Sequence, residues 1–416
     1  SAMDNSIEIP LDLPDVRVQA VDRMGKGDWL IRLESTLKGT KCHQCGRHLD
    51  QFHGLDSALR LRHLPLFEVP VFVEIRPKRY RCKFCQGNPT TTQQLSWHEP
   101  RSPNTKPYER WLLRMLINST VVDVAKKLNV KAGVVTGVLN RWLAKRVNWD
   151  RFERLETIGV DEIALKRGHR NYVVLVTTPL SEGVEVLAVL PDRQKQTVAN
   201  FFTTIPVRLK TTIERVCSDM YKGFIGAAQA QLPWAKIIID RFHVAKAYRD
   251  CADRVRKQEV RRLKQSLAKA DYAHIKGAMW PFRKSPEDLQ EKERAVLERL
   301  FEHSPKLKQA YAFREELTQI FAKAYTKPGA KCAIRAWCKR VRKSEIAAFD
   351  TFLVTVETRL DTITNYFLER LTSGFVEGFN NRVKVLKRRC YGIFDVDQIF
   401  QRLTLDTKGF QLFGRT

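Results

Sequence analysis

Residues 157–190 read TIGVDEIALKRGHRNYVVLVTTPLSEGVEVLAVL. Three short apolar runs stand in this stretch: Thr157 to Leu165, Tyr172 to Thr177 and Val184 to Leu190. Each has strand length and strand composition, and Thr178 to Gly183 (TPLSEG) predicts a hairpin between the last two. Downstream the period changes. Gln196 to Ile205 predicts a helix, Glu214 to Ser218 a strand ending at Asp219, Tyr221 to Leu232 a helix, and Ala235 to Ile239 a strand ending at Asp240. The order β-β-β-α-β-α-β predicts a mixed sheet with helices on its faces. About 130 helix-patterned residues without a strand signal follow.

Upstream stand two Cys-x-x-Cys pairs, Cys42/Cys45 and Cys82/Cys85, with 36 residues between them. Two such pairs complete a closed, tetrahedral four-sulfur site, which is structural rather than catalytic and suits Zn²⁺. Asp28 to Leu37 and Val69 to Ile75 predict strands leading into the two knuckles, as in a zinc ribbon. Arg76, Lys78, Arg79, Arg81 and Lys83 form a basic rim on the second. His43 and His48 read as neighbours of the site.

The linker Arg101 to Pro107 separates this unit from residues 108–147, whose apolar spacing predicts helices. Val121 to Leu128 and Gly133 to Lys145, joined by the tight turn Asn129 to Ala132, have the helix-turn-helix pattern. The last helix would read a major groove through Lys131, Thr136, Asn140 and Arg141. A plain three-helix bundle fits the same pattern.

The net charge of +27 favours a polyanion, and nucleic acid is the commonest one. Arg241 to Ala270 holds ten Lys/Arg against three acids, and Lys331 to Lys343 holds six and none. No apolar run is long enough to cross a bilayer, so no membrane partner is expected. Ser1 to Met3 reads as a cleavage scar, and no secretory signal is expected. The remaining cysteines are scattered, a reduced rather than disulfide-linked pattern.

Asp161 lies within the first strand of the sheet, Asp219 just past the fourth, and Glu377 at the start of a helix in SGFVEGFNNRVKVLKRR. Carboxylates at strand ends are poor structural residues, because a buried anion needs pairing or a metal. Three of them converging would bind two hard cations, Mg²⁺ or Mn²⁺. Each also has a plainer reading: Asp219 as a helix N-cap, Glu377 as a first-turn acid, and Glu162 as a surface charge on the opposite strand face. On the Glu377 helix, Asn381, Lys384 and Arg388 share the Glu377 face. With Arg382, Lys387 and Arg389 they offer a surface for a DNA backbone.

GVDEIALKRGHRNY (Asp161), SDMYKGF (Asp219), IIIDRFHVAK (Asp240, His243) and TSGFVEGFNNRVKVLKRRCYG (Glu377) together resemble the ISL-three insertion-sequence transposases. The resemblance covers nearly the whole chain. It implies a DDE enzyme with a ribonuclease-H-like core, in which Asp161, Asp219 and Glu377 are the metal-binding acids. Asp240 and His243 match a further family motif, and Asp240 competes with Asp219 as second acid. The implied division is a zinc ribbon at 4–100, a helix-turn-helix at 101–150, a catalytic domain at 151–243 and 370–416, and a helical insertion at 244–369. The implied activity is binding of terminal inverted repeats in double-stranded DNA, then Mg²⁺-dependent cleavage and transfer into target DNA. A homodimer or larger assembly in the bacterial cytoplasm, at the nucleoid, would be the working form. A regulator with the same ribbon and helix-turn-helix but an inactive core is the competing expectation. A nuclease for RNA–DNA hybrids is a third, disfavoured by those DNA-reading modules.

Overall fold

The computed structural model describes residues 9–25, 27–164, 172–181, 183–370, 374–390 and 395–414, with side chains from 378 onward in the segment that begins at 374. The chain divides into two compact units, Ser1–Ala144 with Thr404–Thr416, and Lys145–Leu403.

In the first unit, β1 (Val16–Arg23), β2 (Trp29–Ser35), β7 (Val69–Ile75) and β6 (Leu59–Leu66) make a four-stranded sheet in that order. Its inner face alternates as the sequence demands. Leu33, Leu61, Val73 and Ile75 pack with Leu13, Leu95 and Trp97, while intervening residues are more exposed. The knuckles hang on separate, shorter strands. The first lies between β3 (Thr40–Lys41) and β4 (His48–Leu49); the second lies between β8 (Lys78–Arg81) and β9 (Thr90–Thr92), with β5 (Phe52–Leu55) paired to β8. The expectation that β2 and β7 lead directly into the knuckles is therefore corrected. Those long apolar strands are spent on the four-stranded core, and two- to four-residue ribbons present the cysteines.

Three helices follow: α1 (Lys106–Leu116), α2 (Val121–Lys127) and α3 (Ala132–Trp142). Thr105 and Thr120 cap the first two, the Thr120 hydroxyl accepting from Asp123 N at 2.9 Å. Asn129 takes φ 49°, a conformation Asn tolerates well, and Val130 N closes α2 on Ala125 O at 2.9 Å. The turn thus redirects the chain into α3. Leu112, Leu116, Val124, Val135 and Val138 meet in one core.

The second unit is built on a five-stranded sheet of order β12 (Gly183–Leu190), β11 (Tyr172–Leu180), β10 (Thr157–Ala164), β13 (Arg215–Ser218), β14 (Lys236–Ile239). The first two pairings are antiparallel and the last two parallel. Strands β11 and β12 run through most of the predicted hairpin loop. Helices α4 (Lys195–Thr204), α5 (Val207–Lys210) and α6 (Lys222–Gln231) connect the later strands.

Beyond β14 the chain is helical. The long α7 (Arg241–Ser266) is followed by α8 (Lys269–Ile275), α9 (Met279–Arg283), α10 (Glu291–His303), α11 (Pro305–Ala322), α12 (Lys327–Lys343), α13 (Asp350–Thr358), α14 (Leu360–Thr364) and α15 (Tyr366–Glu369), then α16 (Gly374–Arg389) and α17 (Val396–Phe413). Both sheet faces are covered, which explains the near-continuous apolar runs of β10 and β11. Ile158, Val160, Val174 and Val176 face α4, α6 and the helical segment. Ile163, Val173 and Leu175 face Phe379, Val383 and Leu386 of α16 and Ile399 and Phe400 of α17.

Candidate active site and metal-binding cluster

The register of the sheet sets the acids in a row. Val160 pairs with Ser218, and Ser218 with Ile239, in parallel neighbours. Asp161 is the next residue on β10, and Asp219 and Asp240 each stand one residue past the ends of β13 and β14, so the backbone brings three aspartates to neighbouring places at one end of the sheet. By parity Asp161 faces the same side as Ile163, the side on which α16 packs.

Each aspartate is used differently. Asp161 Oδ1 accepts from Glu162 N at 2.8 Å, and its Oδ2 accepts from Asn380 Nδ2 of α16. Asp219 Oδ1 accepts from Tyr221 N at 2.8 Å, a bond within the turn; the N-cap of α6 is Tyr221, so the plainer reading of Asp219 as a helix N-cap is corrected. Asp240 is 1% exposed and caps α7, accepting from Phe242 N at 2.9 Å. Burial pushes the Asp219 carboxyl up to about 6, with the Tyr221 amide opposing and the charge of Asp161 adding to the rise. Burial likewise raises Asp161, against the pull of His243, the Glu162 amide and Asn380. His243, half-buried in the first turn of α7, therefore acts on both carboxyls, and the Arg359 guanidinium also interacts with Asp219.

Glu377 occupies a first-turn position of α16, one turn before Asn380; its side chain lies outside the described residues. Lys387 Nζ donates to Ala164 O at 2.6 Å, so α16 is pinned along β10 at both Asn380 and Lys387. Asn381, Arg382, Lys384 and Arg388 are exposed, and Arg389 is half-buried. Glu162, on the other strand face, pairs with Arg193 at 3.0 Å, and that guanidinium lies over the rings of Tyr172 and Tyr221.

A divalent cation fits the residues on this face. The donors are hard oxygens, and Asn380 Oδ1 is a buried acceptor with no donor among the described residues. Asn380 and the Glu162–Arg193 pair escaped the sequence reading. The doublet Asn380-Asn381 was visible, but the pairing of Asn380 with a residue 219 positions away was not.

Among the described residues the one cluster of three or more ligand-type side chains is Cys42, Cys45, Cys82 and Cys85, with sulfurs within 4.8 Å of one another. Cys42–Cys85 and Cys45–Cys82 are 3.9 and 3.8 Å apart. A tetrahedron with bonds of about 2.3 Å has edges of about 3.8 Å, so zinc fits without rearrangement. The amides of Cys45 and Gln44 draw the Cys42 thiol down to about 6, while the neighbouring Cys45 sulfur pushes Cys85 up to about 12. His43 instead contacts Thr91 Oγ1 at 2.9 Å.

On α3, Lys131 and Asn140 are exposed and Thr136 is half-buried, its hydroxyl donating to Ala132 O at 3.2 Å. Arg141 has inward work: its guanidinium meets the fully buried Glu109, which also accepts from Trp142 Nε1 at 2.7 Å and Ser102 Oγ at 2.6 Å.

No helix of the described residues is long and apolar enough to cross a membrane. The sequence profile of the ISL-three transposases matches residues 158–403. The transposase for insertion sequence element IS1001 of Bordetella parapertussis is 30% identical over 375 residues, covering 90% of each chain. The transposase for insertion sequence element IS1557 of Mycobacterium tuberculosis is 23% identical over 372 residues, covering 85% of this chain and 82% of that one. With a profile spanning more than half its length and a relative matched nearly end to end, the chain belongs to the ISL-three family of insertion-sequence transposases.

Proposed function

We propose that this transposase binds the terminal inverted repeats of its element and catalyses metal-dependent strand cleavage and strand transfer on double-stranded DNA. Asp161, Asp219 and Glu377 would hold Mg²⁺ or Mn²⁺ on a ribonuclease-H-like core. The observation that carries the reading is the Val160–Ser218 register, combined with the Asn380–Asp161 bond that draws α16 to the same face. The strand order and the two parallel pairings after three antiparallel strands support the ribonuclease-H-like assignment.

When bound, divalent ions would supply Lewis acidity for activating water and stabilising charge on phosphorus. Water attack at the transposon end releases a 3′-OH, and that hydroxyl attacks target DNA. The chain's own residues orient these steps. Asn380 fixes Asp161, the Tyr221 amide fixes Asp219, and His243 pulls against the burial of both. Asp240 holds α7 rather than substrate, which favours Asp219 as the second acid.

End recognition is assigned to the cysteine module at 4–100, through zinc and the exposed Arg81 and Lys83, and to a helix-turn-helix at 101–150, through Lys131, Thr136 and Asn140. The catalytic domain would comprise 151–243 and 370–416, of which Thr404–Thr416 groups with the first compact unit, with 244–369 inserted. The α16 residues Asn381, Arg382, Lys384 and Arg388 would lie along the DNA backbone. Joining two ends calls for a dimer or larger assembly at the nucleoid.

The test is nicking of a labelled end duplex with Mg²⁺. Wild type should cut, and Asp161→Ala, Asp219→Ala and Glu377→Ala should bind the end but not cut. Wild type that binds ends and never cuts with either Mg²⁺ or Mn²⁺ would instead establish the regulator with an inactive core.

A further inference from the structure

A cleft of about 340 Å³ opens in the helical segment beside the first two turns of α7. Four arginines line it and no acid does: Arg241, Arg249, Arg283 and Arg314. Its remaining lining is largely apolar and includes Phe242 and Phe321. The arginines differ in how free they are. Arg314 donates to Phe282 O at 2.7 Å and to Glu315 at 2.8 Å, and Arg283 meets Asp253 at 2.9 Å. Arg241 and Arg249 have no hydrogen-bond or ion-pair partner among the described residues; the Arg241 guanidinium only overlies the rings of Phe242 and Tyr366. Phe242 lines the cleft and is 43% exposed, which leaves its ring available to a stacking partner.

A ligand that satisfies both features has a flat apolar part and anionic groups. Arg241 and Arg249 lie eight residues apart on one helix, about 12 Å along its axis, so they would meet different phosphates of one strand. The cleft is far too small for a duplex but matches one nucleotide. Aromatic platforms combined with cations are the general solution for single-stranded nucleic acid.

We propose that this cleft receives single-stranded DNA, one base on Phe242 and flanking phosphates on Arg241 and Arg249. The proposal rests on the reading that the chain acts on DNA. It adds a site distinct from the acids and from the end-reading modules. Because Arg241 in the cleft directly follows Asp240, the cap of α7 at the end of β14, a strand in the cleft would enter the region where cleavage is proposed.

The test uses the full chain and a fluorescent 12-nucleotide oligothymidylate, read by anisotropy over a range of salt. The Arg241→Glu/Arg249→Glu double variant should bind the single strand at least tenfold more weakly. Its logarithmic salt slope should fall by about 1.4, the loss of two phosphate contacts. Phe242→Ala should weaken binding roughly tenfold with the slope unchanged. Duplex end binding should change less than threefold in both. The glutamine pair at 241 and 249 serves if the glutamates fail to fold. A matched reversal, Lys292→Glu/Arg299→Glu on exposed sites of α10 outside both basic runs, should have little effect. An equal loss in that control would show that net charge alone matters and overturn the proposal. Wild type that binds duplex ends but ignores the single strand would overturn the cleft reading alone; binding of neither would overturn the DNA reading with it.

Discussion

Replacing Arg141 by Ala should cost the α1–α3 bundle about 2–4 kcal/mol. Glu109 is fully buried and its carboxylate has four side-chain donors, Ser102, Trp142, Arg141 and, at 3.5 Å, Asn104. Breaking a buried pair costs about 3–5 kcal/mol because the remaining charge is stranded. The Arg141 side chain is 28% exposed, so water would replace part of its role and the figure is reduced accordingly. The sign of the acid response gives a second readout. Burial alone would raise the Glu109 carboxyl; Arg141, Ser102 and Trp142 outweigh it and hold the group below its ordinary 4.5. In wild type this contribution is present above pH 4.5 and lost on acidification below it. Without Arg141 burial prevails, the folded carboxyl rises, and acidification should stabilise the bundle instead. Hydrogen exchange of the α1 and α3 amides in urea, at pH 4 and pH 7, measures both effects locally. Asn140→Ala, one residue away and exposed, should shift protection by no more than about 0.5 kcal/mol. Equal protection in Arg141→Ala and Asn140→Ala would refute the reasoning and return Arg141 to the DNA-contacting set.

Three other outcomes follow from the site. Asn380→Ala removes the side chain that orients Asp161 and should lower end cleavage about 10- to 100-fold while leaving duplex binding unchanged, as a nicking assay with a parallel gel shift would read. Purified protein should contain one zinc per chain by elemental analysis, and Cys42→Ser should lose it along with end binding. In the metal-free chain, the stability Asp219 contributes is fully present below about pH 3.9, its unfolded value, and lost as pH rises through about 6. Thermal midpoints at pH 5 and pH 7.5 should therefore diverge without Mg²⁺ and converge when it is added.

The apolar runs of β10 to β14 were legible because both faces of that sheet are covered, which writes strands as continuous hydrophobic stretches bounded by polar turns. The aspartates were legible because anions at the ends of such strands have no packing use. What the sequence withheld was pairing at long range. Arg141 has the look of a base-reading residue on α3, and only folding shows that a buried Glu 32 positions earlier claims it. Ribbons as short as β3 and β4 carry too few residues for a period, so the knuckles were attached to the wrong strands. Asp240 and Asp219 have the same strand-end context, and register together with capping was needed to separate a helix cap from a candidate ligand.

In the proposed reaction Asp161, Asp219 and Glu377 hold divalent ions together. Electron paramagnetic resonance of Mn²⁺ titrated into the full chain with end DNA, in wild type and in each alanine variant, tests it most directly. Each single substitution should weaken Mn²⁺ binding at least tenfold. Mn²⁺ affinity unchanged in any one of the three would contradict the shared site.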